Sequence, residues 1–210
     1  MSKAGLKKRE QMEVVSKKLY VKYMVSLRCK LILKEELKNL NIKYSISVHG
    51  AIIFHEAITE YRLNELNQNL QKSGLLLLDE PNSLLIDKII NTIIEVIHYS
   101  EELPKVNFSD VISDKLGSDN ESILKIFSDV KGMSVMQFII LQKVERIKEL
   151  LLYEELTLQE IAKKLYYKNE DLLIAQFKKH TGLTPAYFKK LRKERLNLSE
   201  GVRSSKKHVG

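Results

Sequence analysis

The chain has 210 residues, 44% of them hydrophobic, which is enough to bury a core in two modest domains and too apolar for a disordered or fibrous chain. One cysteine excludes an internal disulfide framework and fits a reducing compartment; no apolar run approaches the ~20 residues of a membrane span, and the charged amino terminus lacks the apolar centre of a signal peptide, so a cytoplasmic location without a membrane partner is expected. The formal charge of +8 favours anionic partners, but it divides into +3 over residues 1–105, +3 over 106–195 and +2 over 196–210, so any non-specific affinity for DNA is expected to be weak and salt-sensitive.

A charged extension occupies residues 1–18. Residues 19–26 then alternate as a strand, with Leu19, Val21, Tyr23 and Val25 on one face. A helix fits 28–40 through the stripe Cys29, Ile32, Leu33, Leu37 and Leu40. Residues 44–48, the turn pair His49-Gly50 and residues 51–54 read as a β-hairpin. A second helix over 61–73 uses Leu63, Leu66 and Leu70 and ends at Gly74, and 75–78 is a buried strand. The order βαββαβ over residues 19–80 predicts a ferredoxin-like domain, a four-stranded sheet with two helices on one face.

Asp79-Glu80-Pro81-Asn82 breaks this domain, with Pro81 suited to the first turn of a following helix. Residues 84–99 are apolar at helical spacing (Leu85, Ile86, Ile89, Ile90, Ile93, Ile94, Ile97), so residues 81–104 are expected to be a connector covered on more than one side, or an oligomerisation helix. From there to 195 the pattern is all-α: a helix from Asn107 or Ser109 to about Lys115, another over 120–130, and a long one from a Ser134 cap to about Tyr153 with Phe138, Leu141, Val144, Ile147 and Leu151 inward. Thr157-Leu158-Gln159-Glu160 is a capping box, 170–180 a helix stopped by Gly182, and Thr184-Pro185 the start of the last. Residues 196–210 form a basic tail expected to be disordered.

Within this half one motif occurs twice. Phe127, Gly132, Met133 and Ser134 align at a spacing of 50 with Phe177, Gly182, Leu183 and Thr184, as do Val111, Ile123 and Phe138 with Ile161, Leu173 and Phe188. Each copy reads as two helices, a glycine stop and a capped new helix, so two helix-turn-helix units joined by the long helix are expected.

Glu160-Ile161-Ala162, Gln176-Phe177-Lys178-Lys179, Thr181-Gly182-Leu183-Thr184-Pro185 and Phe188 resemble the carboxy-terminal domain of AraC/XylS transcription regulators, over roughly Asn107 to Lys193 of an expected domain at residues 105–195. The resemblance implies seven helices, two recognition helices in successive major grooves of a promoter, regulation of transcription and no enzymatic activity. By position it puts DNA contacts on Lys168, Asn169, Glu170, Asp171, Ile174 and Ala175, and in the first unit on Asp119, Asn120, Glu121, Ser122 and Lys125; Lys178 and Lys179 read either as ordinary exposed lysines or as phosphate anchors. The chain departs from the family at Tyr166, which stands in a turn that usually has Gly, and at the adjacent acids Glu170 and Asp171, which would repel phosphates.

The amino-terminal domain resembles heavy-metal-associated domains, which hold soft ions with Cys-x-x-Cys. Here Ser26 replaces the first thiolate and leaves Cys29 alone, so no metal site and no cofactor are expected, Cys29 being the weak candidate. His49, His55 and His98 lack ligand spacing, and no nucleophile, base and orienting group assemble, so no enzyme is expected. Two functions remain open: a regulator that binds double-stranded DNA, its first domain sensing an effector or binding a protein partner or a second copy; and an adaptor that keeps the fold without reading DNA.

Overall fold

The computed structural model describes residues 18–99, 120–154, 156–192 and 194. The expected helix ending at Lys115, the two charged tails and Asp119 lie outside the described residues. The chain divides into two compact units: residues up to 89 together with 116–135, and residues 90–115 together with 136 onward.

In the first unit the expected first strand is two short ones, β1 (Lys18–Leu19) and β2 (Val21–Lys22), flanking Tyr20. The alternation predicted from Leu19 to Val25 therefore fails. Leu19, Tyr20 and Val21 are all buried, whereas Tyr23 and Val25 are exposed. The cause is local. The Tyr20 N–H donates to Ser83 Oγ at 3.1 Å, its carbonyl accepts from the Leu78 N–H at 2.8 Å, and its hydroxyl donates to Asp87 at 3.0 Å. Tyr20 thus fills the interior on the side opposite its neighbours, and Tyr23, at φ +65°, then turns the chain out of the strand.

Helix α1 (Leu27–Asn39) follows, capped by Ser26, whose Oγ accepts from the Cys29 N–H; Leu33 and Leu37 are its buried residues. Strands β3 (Tyr44–Ile46) and β4 (Ile52–Phe54) form the hairpin with Ile46 opposite Ile52. Its connection is three residues rather than the predicted pair: the Ser47 N–H bonds Ala51 across Val48-His49-Gly50, and Gly50 takes φ +89°. Helix α2 (Glu60–Gln71) is capped by Thr59 and buries Leu63, Leu66 and Leu70 before Gly74 at φ +75°. Strand β5 (Leu76–Leu77) is the last strand of the unit. All pairings are antiparallel, in two ladders of order β1-β4-β3 and β2-β5. One core joins the sheet to both helices through Leu33, Leu37, Ile52, Leu66 and Leu70.

Helix α3 (Glu80–Ile94) starts one residue after Asp79, which accepts from the Asn82 N–H, and passes into a π-turn over Glu95–Tyr99. Its apolar residues Ile86, Ile89, Ile90 and Ile93 are fully buried. Helices α4 (Asn120–Lys131), α5 (Val135–Tyr153), α6 (Leu158–Lys164), α7 (Glu170–Thr181) and α8 (residues 185–192) follow. In the second unit, His98 bridges Glu149 (Nδ1, 3.1 Å) and Gln142 (Nε2, 3.3 Å) on α5, a tie that histidine spacing did not suggest. Among the described residues no helix is long and apolar enough to cross a membrane.

Candidate nucleic-acid interface

The second helix-turn-helix is α6 and α7. The Thr157 hydroxyl accepts from the Glu160 N–H at 3.2 Å, and the Glu160 carboxylate accepts from the Thr157 N–H at 2.7 Å. That backbone bond, with the Thr157 hydroxyl, holds the Glu160 carboxyl below the usual glutamate value. Ile161, Ala162 and Leu165 are buried, Ala162 leaving room for close helix crossing.

The turn keeps the left-handed geometry for which glycine is suited. Tyr166 sits at φ +51°, and the next N–H, of Tyr167, returns to the Ala162 carbonyl at 2.8 Å. A residue with a Cβ pays roughly 1–2 kcal/mol for that conformation. The neighbouring side chain pins the turn: the Tyr167 hydroxyl bonds Gln176 on α7, and the Lys143 ammonium lies 5.3 Å from its ring while donating to the Leu165 carbonyl at 2.9 Å. Burial pushes the Tyr167 phenol up to about 12 and the Lys143 ammonium down.

Asn169 caps α7 by accepting from the Leu172 N–H at 3.0 Å. Leu173 and Phe177 turn inward, and Phe177 meets Phe188 edge-on at 5.6 Å between ring centres. The outward face carries Asp171, Leu172, Ala175, Lys178 and Lys179, with Lys168 and Asn169 exposed just ahead of it and Glu170 half-buried. Ile174, predicted to bring an apolar side chain toward DNA, is half-buried, and Leu172 is the large apolar residue that faces out. Sequence reasoning missed Leu172, although its counterpart 50 residues earlier, Ser122, is polar, and that mismatch was the available signal.

In the first unit α4 buries Ile123, Phe127 and Val130 and exposes Glu121, Ser122, Leu124 and Lys125; Asn120 is its first residue. Its carboxy-terminal end is joined to the sheet. The Tyr23 N–H donates to the Asp129 carbonyl at 2.7 Å, and Lys22 lies 3.5 Å from the Asp129 carboxylate. Gly132, at φ +66°, is approached so closely by Val25 that a Cβ there would lie 2.6 Å from Cγ1.

Acids begin both outward-facing helices, Glu121 on α4 and Glu170 with Asp171 on α7, while Lys131 and Lys178, Lys179 and His180 end them. This polarity complements the helix dipole. Chemically, the acids can accept from a cytosine amino group and the lysines can bond phosphate oxygens. At α1, the Ser26 hydroxyl donates to the Cys29 sulfur at 3.1 Å, and this bond above all lowers the thiol's pKa. Among the described residues no group of three or more His, Cys, Asp or Glu side chains could hold a metal ion.

Residues 112–191 match the family model described as a helix-turn-helix domain. Among solved structures, the chain is similar to the carboxy-terminal domain of AraT, a response regulator from Geobacillus stearothermophilus (20% identity, 53% of this chain and 88% of that one, TM-score 0.46). It is also similar to the DNA-binding domain of AdpA, a global transcriptional factor in complex with target DNA (17% identity, 52% and 94%, TM-score 0.45), and to the carboxy-terminal domain of the two-component response regulator yesN from Fusobacterium nucleatum (24% identity, 52% and 99%, TM-score 0.41). No curated protein matches the chain. The family match over residues 112–191 and the two helices each ended by a glycine at positive φ make the carboxy-terminal half of this chain a helix-turn-helix domain.

Proposed function

We propose that the chain is a cytoplasmic transcription regulator of the AraC/XylS kind, which binds double-stranded promoter DNA in the major groove through its two helix-turn-helix units. The observation that carries this reading is the exposed face of α7, where Lys178 and Lys179 stand one turn beyond Ala175 on a helix whose start is capped by Asn169. Lysines at these positions suit backbone phosphates, and Asp171, Leu172 and Ala175 are left to meet base edges, Leu172 suiting a thymine methyl group. Lys168, Asn169 and Glu170 on the second unit, and Asn120, Glu121 and Lys125 on the first, complete the proposed contact set. The amino-terminal unit serves sensing or interaction. Its strand order, with β1 and β2 taken as one bent strand between β5 and β4 and with β3 outermost, supports a ferredoxin-like reading.

Fluorescence anisotropy with fragmented genomic DNA over a salt series tests the function. Specific retention is expected above a non-specific background, with a negative slope of log affinity against log salt. Absence of binding at low salt sinks the regulator and leaves the adaptor. That second reading has its own support in the acids at Glu170 and Asp171 and in the attachment of α4 to the sheet through Asp129.

A further inference from the structure

Strand β3 is the outermost strand of the ladder β1-β4-β3, and among the described residues no strand pairs with its free edge. The register decides which groups that edge presents. The Lys43 carbonyl accepts from the His55 N–H at 3.0 Å and the Ser47 N–H donates to Ala51 at 2.9 Å, so residues 43, 45 and 47 direct their backbone groups to β4. In an antiparallel pair successive residues point these groups to opposite sides, which leaves the N–H and C=O of Tyr44 and Ile46 facing outward. Their side chains stand beside those of Phe54 and Ile52 and pack against the core, on the face of the sheet that carries the helices. Along this edge runs an open groove with Lys34, Glu35 and Lys38 of α1 on one side and residues 41–44 on the other. Lys34 and Lys38 are exposed, one turn apart, and among the described residues neither forms an ion pair, whereas Lys43 is paired with Glu56.

We propose that this edge takes an extended acidic segment of another protein as an added strand, its backbone paired with Tyr44 and Ile46 and its acids facing Lys34 and Lys38. Charge selects that occupant. A second copy paired edge to edge about a two-fold would bring its own lysines against these, and lysines beside an open edge are a means of preventing such self-pairing. The chain's own extension over residues 1–17 carries five basic and two acidic side chains and so lacks the complementary charge. Duplex DNA would meet the lysines but offers the edge no matching row of N–H and C=O groups. The proposal rests on the interaction role given above to the amino-terminal unit and does not depend on DNA binding.

The test uses the full chain and a fluorescein-labelled hexapeptide that alternates glutamate with threonine, read by anisotropy. A residue opposite Tyr44 or Ile46 exchanges backbone bonds with it and also turns its side chain to the α1 side, so in the bound register these positions are the glutamates. Methylating the glutamate N–H groups is therefore expected to weaken binding at least about tenfold, and methylating those of threonine, which point away from β3, to leave it within about twofold. The double variant Lys34→Glu, Lys38→Glu is expected to lose the glutamate peptide and to bind one with lysine in place of glutamate; both positions are exposed, so the exchange leaves the core intact. No binding of the glutamate peptide, or equal loss from methylation at either set of positions, overturns strand addition. Unchanged binding in the double variant overturns the groove, and displacement by duplex DNA as effective as by unlabelled peptide makes the surface a phosphate site instead. The genomic-DNA titration of the double variant is expected to match that of the wild type, so a failed edge and a failed regulator are read separately.

Discussion

The two copies of the repeated motif share a core and differ in what surrounds it. Phe127 and Phe177 are both fully buried, and Gly132 and Gly182 both end their helices at positive φ, +66° and +76°. Yet Asp129 of the first copy is bonded to β2 and its neighbour, whereas its counterpart Lys179 is exposed. A Cβ on Gly132 would collide with Val25, while one on Gly182 would meet nothing within 4 Å. One motif therefore sits in two settings: in the first copy the end of the helix packs against the amino-terminal sheet, and in the second the corresponding positions are exposed. A repeat in sequence preserves the packing that makes the unit and leaves each copy's outer face free to diverge.

The sharpest break of this comparison strikes the shared core. Phe127→Ala and Phe177→Ala are each expected to cost about 3–5 kcal/mol, measured by denaturant unfolding. A loss in one copy several kcal/mol smaller than in the other would mean that the two cores are not equivalent. Next are the glycines. Gly182→Ala should cost about 1 kcal/mol for its φ alone, and Gly132→Ala about 2 kcal/mol, because Val25 must also move. Adding Val25→Ala should recover the difference at Gly132 and do nothing at Gly182; equal costs at the two glycines would remove the docking role.

Tyr166→Gly is expected to stabilise the second unit by about 1 kcal/mol by relieving the turn, visible as a higher denaturant midpoint. A lower midpoint would mean that the tyrosine ring contributes more than its backbone costs. Smaller still, Asp129→Asn should cost under about 1 kcal/mol through its partly exposed pair with Lys22. Lys179→Ala should leave stability unchanged while weakening DNA binding across all sequences and reducing the salt slope by about 1. The Glu160 capping box gives the least effect. Its carboxyl is depressed in the folded chain, so the box contributes above the ordinary glutamate value of 4.5 and is lost as pH falls through the lower folded value. An NMR titration of Glu160 should give a value below 4.5 that Thr157→Val raises.

The helices were legible wherever a cap, an apolar stripe and a stop agreed. Thr157 with Glu160, the spacing of Leu173 and Phe177, and Gly182 behind them mark α6 and α7 by local chemistry alone, and the two helices stand there, α7 with a cap at Asn169 that was not anticipated. The first strand was not legible, because its residues answer to distant partners. Tyr20 turns inward on account of Ser83 and Asp87, more than 60 residues away, and that overrides a period of two. On α7 the spacing identified the helix, but with Leu173 and Phe177 in the core, Leu172 is the large apolar residue left exposed while Ile174, on nearly the opposite face, is half-buried.

By itself, the sequence determined the helix-turn-helix scaffold: the recurrence of Phe, Gly and a capping hydroxyl at a spacing of 50 depends on short-range backbone chemistry, which each copy contains in full. The tertiary structure alone decided what each copy meets. The Tyr23 bond to the Asp129 carbonyl and the approach of Val25 to Gly132 both join segments about a hundred residues apart, and no local periodicity encodes contacts at that range.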